Sequence, residues 1–229
     1  MEFGRPAALQ PASFFAFMRI DRAGLPFIAG ALVPAALLAS TRRYGWAAAC
    51  AAVGGFMTYF FRDPDRDVPQ APGLVVSPAD GRVMIAGPAD GRWTPPGDWQ
   101  QITIFLSPLD VHINRTPVDG RVTRIEYRPG AFLPAYKHDA AANELNEIWI
   151  DHGGETVVVR QIVGALARRI VCRVQEGQTL ARGERIGLMK FGSRMDVFLP
   201  PRAELMVQVG QSVVAGVTVL ARLQAPPHG

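Results

Sequence analysis

A mainly β body, a compact sandwich or partly open barrel preceded by an apolar helical hairpin, is the architecture this sequence predicts, and three observations predict it. Two nearly uncharged stretches, residues 24–40 and 44–61, stand near the amino terminus, separated only by Thr41-Arg42-Arg43. The texture changes at Arg62-Asp63-Pro64-Asp65-Arg66, a charged segment broken by proline. Beyond it, short β-branched runs alternate with Gly, Pro and Asp, and helical periodicity is scarce.

Each apolar stretch is near the lower limit for a bilayer span, and the glycines and prolines inside them do not exclude a membrane helix. Neither stretch shows a polar face, so a hairpin that spans or lies in the interface is expected rather than one buried in a soluble core. A cleaved signal peptide fits less well, because the first apolar run starts late and a second follows it. Arg5, Arg19 and Arg22 precede the hairpin, and Arg62 and Arg66 follow it. Their placement puts the body on the cytoplasmic side of the cell membrane, while Arg42-Arg43 in the connection argues the other way. The expected division is therefore residues 1–65, the hairpin, and 66–229, the β body.

Within that body the strand candidates are 74–76, 82–86, 101–106, 121–127, 147–150, 156–162, 170–174, 185–189, 195–199 and 213–220. So many short strands joined by turn signals favour an all-β body over an α/β sheet. Pro78-Ala79-Asp80-Gly81-Arg82-Val83 recurs as Pro117-Val118-Asp119-Gly120-Arg121-Val122. Two similar hairpin corners explain this echo, and duplication of a small β unit is the other explanation.

Bulk composition narrows the function. The chain has 229 residues, 48% of them hydrophobic and only 19% charged, room for one domain with a sizeable core. Lys+Arg number 24 against 20 Asp+Glu, a net +4 without a long basic run; this suits anionic lipid head groups and not nucleic acid. Cys50 and Cys172 have no metal-ligand spacing and form no disulfide framework. No metal site is expected.

The segment Lys190-Phe191-Gly192-Ser193-Arg194 carries the most chemical information. A Gly-Ser pair between strands is ordinarily a turn. If its bond is strained and exposed, the missing side chain of Gly192 lets the Ser193 hydroxyl attack the preceding carbonyl and convert the amide to an ester. A base that removes the Ser193 α-proton then eliminates that ester and frees residues 1–192. The dehydroalanine left behind hydrolyses to a pyruvoyl group with loss of ammonia.

These residues, with others along the chain, resemble the phosphatidylserine decarboxylase family in its short bacterial and archaeal branch. The resemblance covers most of residues 60–222. It rests on Phe60-Phe61-Arg62-Asp63-Pro64, Val76-Ser77-Pro78-Ala79-Asp80-Gly81, Phe105-Leu106-Ser107-Pro108-Leu109-Asp110-Val111-His112, Asn143-Glu144, Gln161-Ile162-Val163-Gly164 with Arg168-Arg169-Ile170, and Phe191-Gly192-Ser193-Arg194, in that order.

It implies a proenzyme cut between Gly192 and Ser193 into a β chain, 1–192, and an α chain, 193–229, with a covalent pyruvoyl cofactor formed from Ser193. The implied substrate is a membrane phospholipid whose serine amine forms a Schiff base with that carbonyl, so that electrons released by carbon dioxide loss are delocalised. His112 is the candidate proton donor near neutral pH. Asp80 is implied to orient or activate the base in self-cleavage, and Asp119 in the echoed turn serves as a structural control. Arg115 and Arg194 are the candidate substrate-binding residues, since guanidinium pairs well with phosphate oxygens; Arg62, Arg168 and Arg169 are further cations of that kind.

One departure stands out. Longer members of the family carry a second histidine three residues after the one matching His112, where it activates the serine; this chain has Arg115. The base for Ser193 is therefore unassigned, with His112 serving both steps as one solution. Whether copies of the chain associate is left open.

Other readings make different use of the same residues. The turn from Val174 to Leu180 followed by Met189-Lys190 resembles a biotinyl or lipoyl carrier module, with Lys190 as the attachment point. A membrane-tethered structural β protein needs none of the motifs. An ether lipid of the archaetidylserine kind would keep the mechanism and change the tails.

Overall fold

The computed structural model describes residues 19–91, 93–135, 142–164, 169–190 and 193–224. The chain divides into two compact units, residues 1–58 with 62–64, and residues 59–61 with 65–229.

The first unit contains β1 (Arg19–Ile20), a 3-10 turn (Arg22–Gly24), α1 (Leu25–Ser40), most of α2 (Tyr44–Phe60) and β2 (Arg62–Asp63), with β1 antiparallel to β2. Asp21 starts the 3-10 turn by accepting the Ala23 N–H on its carboxylate at 2.8 Å. The link between the helices is a Schellman-type stop: the Arg42 N–H donates to Ala39 O at 3.0 Å and that of Arg43 to Leu38 O at 2.9 Å. Arg42 takes the left-handed position at φ +60° that glycine usually fills. Gly54 lets the helices approach closely, because a Cβ there would lie 2.4 Å from Leu32 Cδ2.

Apolar side chains cover the outside of this hairpin, with Val33, Leu37 and Trp46 all more than half exposed. Among the described residues one helical stretch, Arg22–Ser40 with 19 residues, is long and apolar enough to cross a membrane. At about 1.5 Å per residue it nearly matches the roughly 30 Å hydrocarbon layer.

The second unit is built from strands: β3 (Leu74–Val76), β4 (Gly81–Pro88), β5 (Gln100–Leu106), β6 (Ile113–Arg115), β7 (Gly120–Arg128), β8 (Leu145–His152), β9 (Glu155–Val163), β10 (Ile170–Cys172), β11 (Thr179–Leu180), β12 (Arg185–Met189), β13 (Ser193–Leu199), β14 (Glu204–Leu205), β15 (Ser212–Val213) and β16 (Val219–Arg222). Eight of them form one curled antiparallel sheet in the order β11-β7-β8-β9-β13-β5-β4-β15. Two three-stranded sheets, β10-β12-β6 and β14-β16-β3, accompany it. The mainly β expectation is met.

Both orders read the same way outward from the β9–β13 pair, so the unit is a two-fold repeat. The echoed corners are equivalent in detail. Ser77 Oγ donates to Ala79 O and Thr116 Oγ1 to Val118 O, each at 2.6 Å. The strands that follow slip register at matching places, between Val83 and Ile85 and between Val122 and Arg124, and such bulges add the twist that curls a sheet. At each corner only glycine fits: a Cβ on Gly81 would lie 2.1 Å from Phe105 O, and one on Gly120 2.3 Å from Asp151 O. Duplication, one of the two explanations open at the sequence level, is the one the topology matches.

The core lies on one face of the large sheet, where Ile102, Ile104, Leu106, Met195, Val197 and Leu199 meet Ile148, Val157 and Val159. The strand expected over 213–220 is broken in two. A turn intervenes in which Val214 O accepts the N–H groups of Val217 and Thr218 at 3.1 and 3.0 Å, with Gly216 at φ +73°. β-branched composition suggested a continuous strand, but the chain uses those residues to turn from the large sheet to a small one.

Candidate active site

Ser193 opens β13, the strand next to the repeat axis. It is fully buried, with Leu106 of β5 opposite on one side and Val163 of β9 on the other. Its Oγ has no hydrogen-bond partner among the described residues. A buried hydroxyl without a partner costs about 1–3 kcal/mol, so it marks a functional position more readily than a structural one. Phe191 and Gly192, which would complete the expected cleavage bond, lie outside the described residues.

Alternation along β13 places Ser193 on the same face as Met195 and Val197, and Arg194 on the opposite face with Asp196 and Phe198. There Arg194 makes a bidentate pair with Asp196, Nε to Oδ1 at 2.7 Å and Nη2 to Oδ2 at 3.0 Å. Thr103 Oγ1 donates to Asp196 Oδ1 at 2.8 Å and takes Gln101 Nε2 at 3.0 Å. Beside this network Arg160 Nε donates to Glu147 Oε1 at 2.8 Å and its guanidinium lies 4.8 Å from the Phe198 ring centroid. The guanidinium of Arg194 is thus engaged by a fully buried carboxylate.

His112 ends the loop that leaves β5 at Leu106. The loop opens with a tight turn: Asp110 Oδ2 accepts the Ser107 N–H at 2.7 Å and Ser107 O that of Asp110 at 3.0 Å. Nδ1 of His112 lies 2.9 Å from Asp110 O. A carbonyl only accepts, so Nδ1 carries the proton and Nε2 is the basic nitrogen of the neutral ring. The imidazole is 1% exposed and packs on Phe60, with ring centroids 4.2 Å apart.

Two short routes tie His112 to Ser193. Leu106, six residues before His112, is the register partner of Ser193. The carbonyl of His112 accepts the N–H of Met189, four residues before Ser193, at 3.3 Å. The fold therefore brings the Ser-Pro-Leu-Asp-Val-His loop next to Met189 and Ser193.

Asp80 lies two strands from Ser193, at the corner leading into β4, where Arg82 opposes Phe105. Its Oδ1 accepts the Ala215 N–H at 2.7 Å and its Oδ2 accepts Arg66 Nη2 at 2.8 Å. A cleft of about 590 Å³ is walled by Asp80, Gly81, Phe105, Ser107, Asp110 and Val214 among others, so Asp80 and the His112 loop share one opening. Ser193 and His112 are not on its wall.

Arg115, in β6, donates from Nη1 to Gly183 O at 2.9 Å, and its backbone N–H donates to Pro78 O at 2.9 Å, beside the Asp80 corner. Asp119 is held differently from Asp80. Its Oδ1 takes Arg182 Nη2 at 2.9 Å and its backbone oxygen takes His152 Nδ1 at 2.7 Å. Partial burial pulls its pKa up but is outweighed by its backbone hydrogen bond, by Arg182 and by His152, and the net shift is downward. Lys190 is half-buried between β12 and β13, where a carrier lysine would stand at an exposed hairpin tip. Arg168 lies outside the described residues.

Sequence reasoning attached no role to three residues that shape the site. Asn143 is 1% exposed and its Nδ2 donates to Leu133 O and to Val163 O, each at 2.8 Å, bracing the residue beside Ser193. Phe60 and Arg66 hold His112 and Asp80. Asn143 and Phe60 stood inside matched motifs, which was the available signal; Arg66 had none beyond its charge.

The family model described as phosphatidylserine decarboxylase matches residues 53–221. The chain is 47% identical over 208 residues to a phosphatidylserine decarboxylase proenzyme of Symbiobacterium thermophilum, covering 89% of this chain and 95% of the relative. It is 41% identical to the proenzyme of Solibacter usitatus, with 90% and 97% covered, and 42% identical to that of Burkholderia multivorans, with 90% and 96% covered.

Proposed function

This chain belongs to the phosphatidylserine decarboxylase family, and on that premise we propose that it is a proenzyme that cuts itself at Gly192–Ser193 and then converts phosphatidylserine to phosphatidylethanolamine and carbon dioxide. The observation that carries the reading is the Ser193 hydroxyl, buried at the head of a central strand without a partner among the described residues. A serine kept for structure would be bonded there.

Self-cleavage needs no group beyond the chain. The hydroxyl oxygen of Ser193 bonds to the Gly192 carbonyl carbon and the amide C–N bond breaks. Removal of the α-proton then expels the carboxylate of the 1–192 chain, and water replaces the nitrogen, which leaves as ammonia. The orphaned Oγ fits a residue whose side chain is consumed in this way. The resulting pyruvoyl group supplies an electron sink for an amine-bearing carboxylate. His112, with Nδ1 on Asp110 O, presents Nε2 as the group that holds and returns a proton. Asp80, braced by Arg66 and Ala215, serves the proton removals of maturation.

Cleavage would not release the shorter chain. β13 is hydrogen-bonded on both edges, to β5 and β9, while β15 pairs with β4 and β16 with β3. The α chain, 193–229, thus contributes strands to all but one of the sheets of the second unit. The apolar hairpin supports a membrane location where a diacyl lipid need not be extracted. Arginines at both of its ends, Arg19 and Arg22 before and Arg62 and Arg66 after, support a cytoplasmic β body.

The direct test is intact mass of the purified wild-type chain and of Ser193→Ala. The wild type is expected as two chains, the shorter beginning with a keto acid, and the variant as one. A Ser193→Ala variant cut to the wild-type extent would exclude this mechanism.

A further inference from the structure

The segment 65–71, just after the hairpin, forms no strand but is clamped across both halves of the repeat. Arg185 Nη2 meets Asp65 Oδ1 at 3.1 Å and Arg66 Nη2 meets Asp80 Oδ2 at 2.8 Å. The carbonyls of Pro69 and Ala71 accept Arg182 Nη1 at 3.2 and 2.6 Å. Val68 packs against Gly183 and Gly216, where an added Cβ would lie 2.5 and 3.6 Å from Val68 Cγ2. Those glycines occupy equivalent positions, their N–H groups donating to Thr116 O and Ser77 O at 2.9 and 2.8 Å.

The repeat supplies its own comparison. Each corner aspartate pairs with an arginine. That of Asp119 is Arg182, the residue before Gly183; the residue before Gly216 is Ala215, which offers Asp80 only its backbone N–H. A guanidinium reaches Asp80 from outside the repeat, from Arg66. Asp119 keeps 52% of its side chain exposed, whereas Asp80 and Arg66 keep 14% and 18%, so the pair at Asp80 is less screened by water. With Arg66 on one oxygen and Ala215 on the other, the carboxylate cannot rotate, and it stands on the wall of the cleft.

We propose that Arg66 is a positioning residue for maturation, holding Asp80 in the orientation that self-cleavage at Ser193 requires. The proposal rests on the reading of Ser193 and Asp80 given above. Arg66 acts through Asp80 and touches no reacting atom.

The test follows the rate of chain splitting on denaturing gels, alongside thermal melting, for the full-length chain and its Arg66→Gln, Arg66→Lys, Asp80→Asn, Arg66→Gln/Asp80→Asn and Asp119→Asn variants. Arg66→Gln is expected to split at least about tenfold more slowly, the usual effect of losing one charge-assisted hydrogen bond. Arg66→Lys should recover most of that rate, and the double variant should split no more slowly than Asp80→Asn alone. Asp119→Asn should melt lower and split within about twofold of wild type, the difference expected of a structural pair.

Splitting of Arg66→Gln at the wild-type rate, or additive losses in the double variant, overturns the role of Arg66 and leaves Ser193 untouched. Arg66→Gln and Arg66→Lys both melting as far below wild type as each other, with parallel loss of splitting, also overturns it, because a structural role alone predicts that result. A wild-type chain that never splits overturns both the proposal and the reading beneath it.

Discussion

The ring of Phe60 lies 4.2 Å from the imidazole of His112, tilted by 33°, and Phe61 meets Phe60 edge-on at 5.0 Å. Phe60 is the last residue of α2 and belongs to the second unit, where its ring covers one face of the candidate proton donor. With Nδ1 held by Asp110 O, the stack leaves the ring little freedom. Phe60→Ala should destabilise the unit by about 3–5 kcal/mol through the cavity it leaves. Phe60→Leu keeps most of the volume, and its expected effect is a fall of about tenfold in kcat of the split enzyme from lost orientation, with KM little changed. An unchanged kcat in Phe60→Leu would count against the stack as an orienting contact.

His112 itself is expected to matter more. Replacing it with Ala should lower turnover by about 10²–10⁴-fold, the usual contribution of a positioned general acid. Turnover is to be measured per split chain, which separates loss of reprotonation from loss of maturation. Normal splitting and normal turnover together would remove His112 from the mechanism.

The buried pair on the opposite face of β13 sets stability. Asp196 is fully buried and carries both bonds from Arg194, so Asp196→Ala leaves a buried guanidinium without its counter-charge and should cost about 3–5 kcal/mol. Denaturant unfolding of the uncut Ser193→Ala chain, with and without Asp196→Ala, gives this difference. A loss below about 1 kcal/mol would mean that the guanidinium finds water or another acceptor.

Asp119 makes an acid-side prediction. Its folded-state pKa is lowered, so its contribution to stability is present above the ordinary aspartate range and disappears as pH falls through the lowered folded value. Unfolding free energies between about pH 5 and pH 2 should fall less steeply for Asp119→Asn than for wild type. Parallel curves would show that the pairing with Arg182 and His152 is screened away by solvent.

Much of the site was legible in order along the chain. The apolar stretches, the break at 62–66 and nearly all the longer strands followed from periodicity and turn residues, because burial on a helix or strand writes a regular pattern. The strands missed at the sequence level, such as Ile113–Arg115 and Thr179–Leu180, are two or three residues long, too short to carry a period. Ser193 and His112 were visible as motifs; Asn143 was visible only as a match without a task, since its amide braces Val163 from twenty residues away.

By itself the sequence determined which residues bear chemistry and which segments bury themselves, since both depend on the kind of side chain and its local spacing. Only the tertiary structure decided which charges are engaged. Strand alternation turns Arg194 away from the face of Ser193 and onto Asp196, and Arg66 reaches Asp80 from outside the repeat. Partners of this kind are chosen by register and by distance across sheets, and neither is written in the order of residues along one strand.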